Sequence, residues 1–146
     1  MAKYTAKQIA QWFINKSAIE AESGRGDPIG NMKLQKLLYY AQGASLALKG
    51  KKLFEDKILA WEHGPVVYDV WSEYRGQTAI TSRKDLKIDK ETNDLLELVY
   101  ETFGQYSAWK LREMTHKESP WILTEQSKEI KPTLIEKYFR ENYVQK

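Results

Sequence analysis

The sequence predicts a mainly α fold: a single helical domain of about six helices, with a small β element before the third. Three observations predict it. Apolar residues return at three- and four-residue intervals along successive stretches. Gly50, Gly76, Gly104 and Pro132 fall between those stretches, where helices stop and start. The length, 146 residues, fits one domain, and no internal repeat, linker or low-complexity tract divides it.

Each element has its own signal. Thr5-Ala6-Lys7-Gln8 fits a capping box, in which hydroxyl and amide satisfy orphan N–H groups reciprocally. Ala6, Ile9, Ala10 and Phe13 then share a face, with Trp12 beside them, and the pattern fades after Ile19. Glu22–Pro28 is a breaker-rich loop whose Gly24 and Gly26 lack the context of a phosphate cradle. The second helix is the most periodic. Asn31 is its expected N-cap, and Leu34, Leu37, Leu38, Ala41, Ser45 and Leu48 form its stripe. Lys33, Lys36 and Tyr40 are expected toward the other side. Gly43, Ala44 and Ser45 leave room for a close neighbour, and Gly50 ends the helix.

Lys51–Phe54 and Ile58–Trp61 are too short for helices and read as a small hairpin or an isolated strand. Trp61-Glu62-His63-Gly64-Pro65-Val66 then forms a rigid joint. Gly64 permits angles closed to other residues, and Pro65 fits the first turn of a third helix bearing Val66, Val67, Val70, Trp71 and Tyr74. Trp61 is expected in the core beside the second helix. Ile80-Thr81-Ser82 reads as a short strand. Asp89 caps the fourth helix, with Leu95, Leu96, Val99, Tyr100 and Phe103 inward; Ser107 caps the fifth, with Ala108, Leu111 and Met114 inward. Pro120 disfavours helix at Ser119. Pro132 opens the last helix, with Leu134, Ile135, Tyr138, Phe139 and Val144 inward.

Composition narrows the chemistry. With no cysteine there is no disulfide framework, thiolate nucleophile or Cys-based zinc or iron–sulfur site. No apolar run approaches the ~20 residues of a membrane span. The start, Met1–Thr5, lacks the apolar core of a signal peptide, so the expected location is the cytoplasm. The net charge of +3 is mild for a nucleic-acid binder. Five Trp and nine Tyr are many for so polar a chain, and lean toward a protein-binding surface.

No reactive constellation emerges. His63 and His116 sit at element ends beside acids, but neither HExxH nor the deaminase spacing occurs. Hydrogen bonding at corners is the simpler role for both. No Gly-x-Ser-x-Gly is present, and Ser45 and Ser107 stand isolated. Lys33, Lys36, Tyr39, Tyr40 and Lys49 could bind phosphates and stack bases, but read more simply as a solvated helix face with lysine stems over tyrosine rings. Among Trp61, Trp71, Trp109 and Trp121, core packing is expected for most. Trp121, directly after Pro120, is the candidate for a partly exposed anchor. No catalytic residue, metal ligand or cofactor is predicted.

Three segments together resemble a known family: Asn31–Ala41; Leu53-Phe54 with Ala60–Val66 and Val70-Trp71; and Leu111–Trp121. Their order and spacing are similar to the Panacea domain, also described as SocA-like or phage-associated GepA-like. The motif-bearing part is about 29–121 within a single domain over 1–146. The resemblance implies an antitoxin that neutralises a cognate toxin protein, with no enzymatic activity. In the SocA branch it implies an adaptor that delivers the toxin to a protease. Many members carry a further DNA-binding domain, for which this chain has no room. Lys36, Tyr39, Trp61, Glu62, His63, Gly64, Pro65, Thr115, His116, Pro120 and Trp121 are the family-motif positions, partner-binding or structural. The leading expectation is therefore occlusion of a toxin by an aromatic-centred patch. The alternatives are the protease adaptor, a nucleic-acid-binding regulator motivated by the second-helix lysines, and last an enzyme using His63, His116 and Glu62.

Overall fold

The second helix is the axis around which the rest of the chain is wrapped. In the computed structural model, which describes residues 2–144, the described residues form α1 (Ala6–Glu22), α2 (Asn31–Lys49), β1 (Leu59–Trp61), β2 (Gly64–Val66), α3 (Tyr68–Glu73), α4 (Lys90–Phe103), α5 (Ala108–His116), α6 (Ser119–Ile122) and α7 (Pro132–Asn142). The fold is mainly α, as the sequence predicts, with seven helices among the described residues rather than six. The extra one is α6. Pro120 is its second residue, a first-turn position where the missing N–H costs nothing, so the helix forms despite the restriction on Ser119.

Predicted caps hold where they are local. Thr5 and Gln8 complete the capping box, Asp89 accepts from Thr92 N–H, and Ser107 accepts from Lys110 N–H. Asn31 is a correction. The N-cap is Gly30, and Asn31 is the first helical residue. Its amide instead donates to Trp71 O at 3.1 Å and accepts from Gln35 at 2.9 Å, tying α2 to α3.

Helix α2 packs against α1, α3, α4, α5, α7 and β2. A helix enclosed this way has no broad solvent face, so a single-stripe reading fails. Lys36, Tyr39 and Tyr40 are buried, whereas Leu48, expected inward, is half exposed. Buried polar groups need partners, and α2 supplies them to the chain around it. Gln42 accepts from the N–H groups of Leu53 and Phe54 and donates to Phe54 O. Gln35 accepts from Val67 N–H at 2.9 Å. Gly43 lies under the Phe139 ring of α7, the close approach its small size predicts.

Strands β1 and β2 pair antiparallel, with Leu59 opposite Val66, Ala60 opposite Pro65 and Trp61 opposite Gly64. Glu62 and His63 are the tip of the hairpin. Pro65 is thus a strand residue, and α3 begins three residues later. The reason is visible at Ala60: its N–H donates to Lys128 O and its carbonyl accepts from Ser127 N–H, on the far side from Pro65. The Ala60–Pro65 pair exchanges no backbone hydrogen bond, so a proline fits on that outer strand. Ile80-Thr81-Ser82 is not a strand. Ile80 N–H makes a single bond to Ile29 O.

Candidate functional site

The motif residues build two structural assemblies and leave one surface free. The first assembly is a buried polar centre. Glu118, only 2% exposed, accepts the hydroxyls of Tyr39 at 2.9 Å, Tyr40 at 2.8 Å and Tyr143 at 2.6 Å. Burial pushes the Glu118 carboxyl up from its ordinary value, against the pull of the three hydroxyls. Burial and the nearby carboxylate raise Tyr39 and Tyr40 in turn.

The second assembly straps the hairpin onto α5 and α6. Trp121 Nε1–H donates to Trp61 O at 2.8 Å. His116 sets its ring nitrogens against Glu62 O at 2.8 Å and Arg112 O at 2.7 Å. Both partners are backbone carbonyl oxygens, which accept from a ring N–H. The imidazole also lies against the Trp121 ring, with centroids 4.0 Å apart. Gly64 has φ +115°, and a Cβ there would stand 2.8 Å from Lys36 Cε and 3.0 Å from Thr115 Oγ1. Thr115, Gly64, Pro65 and Pro120 are all buried in this joint. His116→Ala is expected to cost about 1–3 kcal/mol of stability, from two lost hydrogen bonds and the stack. His63 is exposed, and His63→Ala is expected to change stability by less than about 0.5 kcal/mol. Urea midpoints of both variants check the pair.

The free surface is aromatic. Trp61 and Trp71 meet edge to face with centroids 4.9 Å apart, Tyr68 adjoins both at 6.1 Å, and the Arg75 guanidinium lies 4.5 Å over the Trp71 ring. Tyr68 is 48% exposed, and the two tryptophans are partly exposed. Beside the cluster opens a pocket of about 460 Å³, between the start of α2, the hairpin and α3, with Lys36, Gln35, Trp61, His63, Val66 and Trp71 among its walls. One expectation is corrected here. Trp61 walls this pocket instead of filling the core, because side chains alternate along β1: Ala60 takes the buried side and Trp61 is left partly exposed. Trp121 is partly exposed, as expected, with its indole N–H donating to Trp61 O; Trp109, at 62%, is the more exposed tryptophan.

The basic–aromatic set on α2 is not a surface either. Tyr39 and Tyr40 are fully buried, Lys33 donates to Gly104 O, and Lys49 pairs with Glu91. Among the described residues, no group of three or more His, Asp or Glu side chains could hold a metal ion, and no helix is long and apolar enough to cross a membrane. Sequence reasoning passed over Glu118, although it stands inside the third motif segment. It also passed over Tyr68, which lies three residues before Trp71 on one face of α3.

A mainly helical domain whose motif residues fasten a hairpin to a bundle, and leave aromatic side chains outside it, is the class of protein these features define. The description "Antitoxin SocA-like, Panacea domain" matches residues 34–122, and the chain belongs to that family, as the three sequence segments imply. It is 32% identical over 133 residues to "Antitoxin SocA" of Caulobacter vibrioides (strain NA1000 / CB15N), an alignment covering 80% of this chain and 68% of that relative. No solved structure matches the chain.

Proposed function

We propose that this protein is an antitoxin that neutralises a cognate toxin protein by binding it directly, without enzymatic action and without a cofactor. Residues 1–146 act as one domain, in the cytoplasm where the toxin is made. Membership of an antitoxin family supports the reading. The observation that carries it is the partly exposed cluster of Trp61, Tyr68 and Trp71 with Arg75 over it. Large rigid aromatics and arginine dominate binding energy at protein interfaces, and a fold with a complete core has no use for them outside.

Coexpression with the product of the neighbouring reading frame tests it. That product should arrest growth alone, and this protein should restore growth. Tyr68→Ala and Trp71→Ala should each weaken toxin binding by about 30-fold, the scale of a truncated interface hot spot. Trp109→Ala, outside the cluster, should leave binding unchanged. A harmless neighbour, or continued arrest, removes the proposal for that pair. Immunoblots of the toxin separate direct blocking from delivery to a protease: stable toxin with restored growth supports blocking, and accelerated loss of toxin overturns it.

A further inference from the structure

Lys36 is a charge the fold has no need of. The residue is 1% exposed, and among the described residues its ammonium joins no ion pair. Nothing acidic offsets the burial. Desolvation and the nearby Arg112 guanidinium both push its pKa down from the ordinary 10.5, to about 8. Arg112 is itself short of partners, with its Nε buried and without a hydrogen bond. Lys36 nevertheless lines the pocket, and its ammonium end fills the room left by the missing Cβ of Gly64, 3.2 Å from Nζ.

A larger cavity, about 640 Å³, lies between the start of the chain and the end of α2, and makes the contrast plain. Three of its four lysines are matched, Lys3 with Asp89, Lys49 with Glu91 and Lys52 with Glu55, and the fourth, Lys51, is exposed to water. Among the described residues, the pocket beside the aromatic cluster, unlike this cavity, carries a buried cation outside any ion pair. A buried charge without a partner is costly in the free protein, and the cost is recovered when an opposite charge arrives in the same dry site. The pocket's walls include the partly exposed Trp61 and Trp71, so the incoming acid belongs to a protein surface that covers both.

We propose that the pocket over Lys36 receives an aspartate or glutamate side chain of the protein partner, its carboxylate against the ammonium and an adjoining apolar residue against Trp61 and Trp71. The identity of that partner as a toxin rests on the function proposed above; the pocket's preference for a carboxylate does not. The other ionisable groups around Lys36 are Arg112 from α5 and Glu62 and His63 from the hairpin tip.

Lys36→Met, of similar shape and uncharged, is the decisive variant. It should melt at a higher temperature than the parent at pH 7, because it removes the buried charge. A lysine whose folded pKa lies below its unfolded one costs stability in full below about 8, and that cost is gone above 10.5. The gap between parent and variant should therefore close as pH rises across that window. The same variant should bind the toxin about 30-fold more weakly, or worse. Unimpaired binding overturns the proposal, as does a variant whose lower stability alone explains the loss. A double-mutant cycle against each acidic residue of the toxin should find one that couples to Lys36, and additivity at all of them overturns the proposal. If no toxin is neutralised by the parent, the pocket is probed alone, with acetyl-Glu-Leu-amide and its Gln counterpart. The indole N–H signals of Trp61 and Trp71 should move with the Glu peptide and not with the Gln peptide. Equal shifts, or none at millimolar peptide, overturn the pocket without bearing on the antitoxin reading.

Discussion

Glu118→Ala is expected to lower the unfolding free energy by about 3–5 kcal/mol, the scale at which removing one partner strands a buried polar group. Three hydroxyls converge on this one carboxylate, and Tyr39 and Tyr40 are wholly buried. With the acceptor gone neither can turn to water. Alanine also leaves space beside the buried tyrosine hydroxyls that the carboxylate had filled. Urea unfolding at pH 7 measures the loss. Tyr143→Phe is the informative companion. It deletes a donor and strands nothing, so its expected cost is about 1 kcal/mol. If Glu118→Ala costs no more than Tyr143→Phe, the carboxylate is not the centre of this network.

Gly64→Val is expected to cost about 2–5 kcal/mol, from backbone strain and overpacking together. At φ +115° a β-branched residue is strained wherever it sits, and here the added carbons also meet Lys36 Cε and Thr115 Oγ1. Gly24→Ala separates the two effects. Gly24 has φ +74° with nothing near its missing Cβ, so the alanine there bears strain of about 1 kcal/mol alone. Thermal melts of both variants, beside a toxin-binding assay, decide what Gly64 is for. A Gly64→Val protein that melts like the parent yet no longer binds would make this position a partner contact rather than a structural joint.

How legible these features were depended on how far their causes lay along the chain. The caps at Thr5, Asp89 and Ser107 are satisfied within three residues, and the sequence reading found them. The surroundings of α2 are not local. Lys36 is buried because the hairpin lays Gly64 over it, and Tyr39 and Tyr40 are buried because Glu118 and Tyr143 arrive from the far end of the chain. Helical periodicity sees only its own turns, so it read a core helix as one with a wet side. The hairpin failed in a subtler way. Gly64-Pro65 was recognised as a joint, but the pairing of Ala60 with the backbone at 127–130, which makes a proline acceptable in β2, cannot be seen from the joint itself. The pocket was hidden for the same reason: its walls come from four separate stretches.

The enclosure of α2 bears on how the protein is made. Its cover includes α7, and its tyrosines are latched by Tyr143. A growing chain on the ribosome therefore holds a finished helix whose cover stays incomplete until residue 143 has cleared the exit tunnel. Half-made or prematurely ended copies would show that helix to chaperones and proteases, which act on exposed apolar segments. Only chains read through α7 would cover it in full, so the supply of working protein follows how far synthesis proceeds rather than its start.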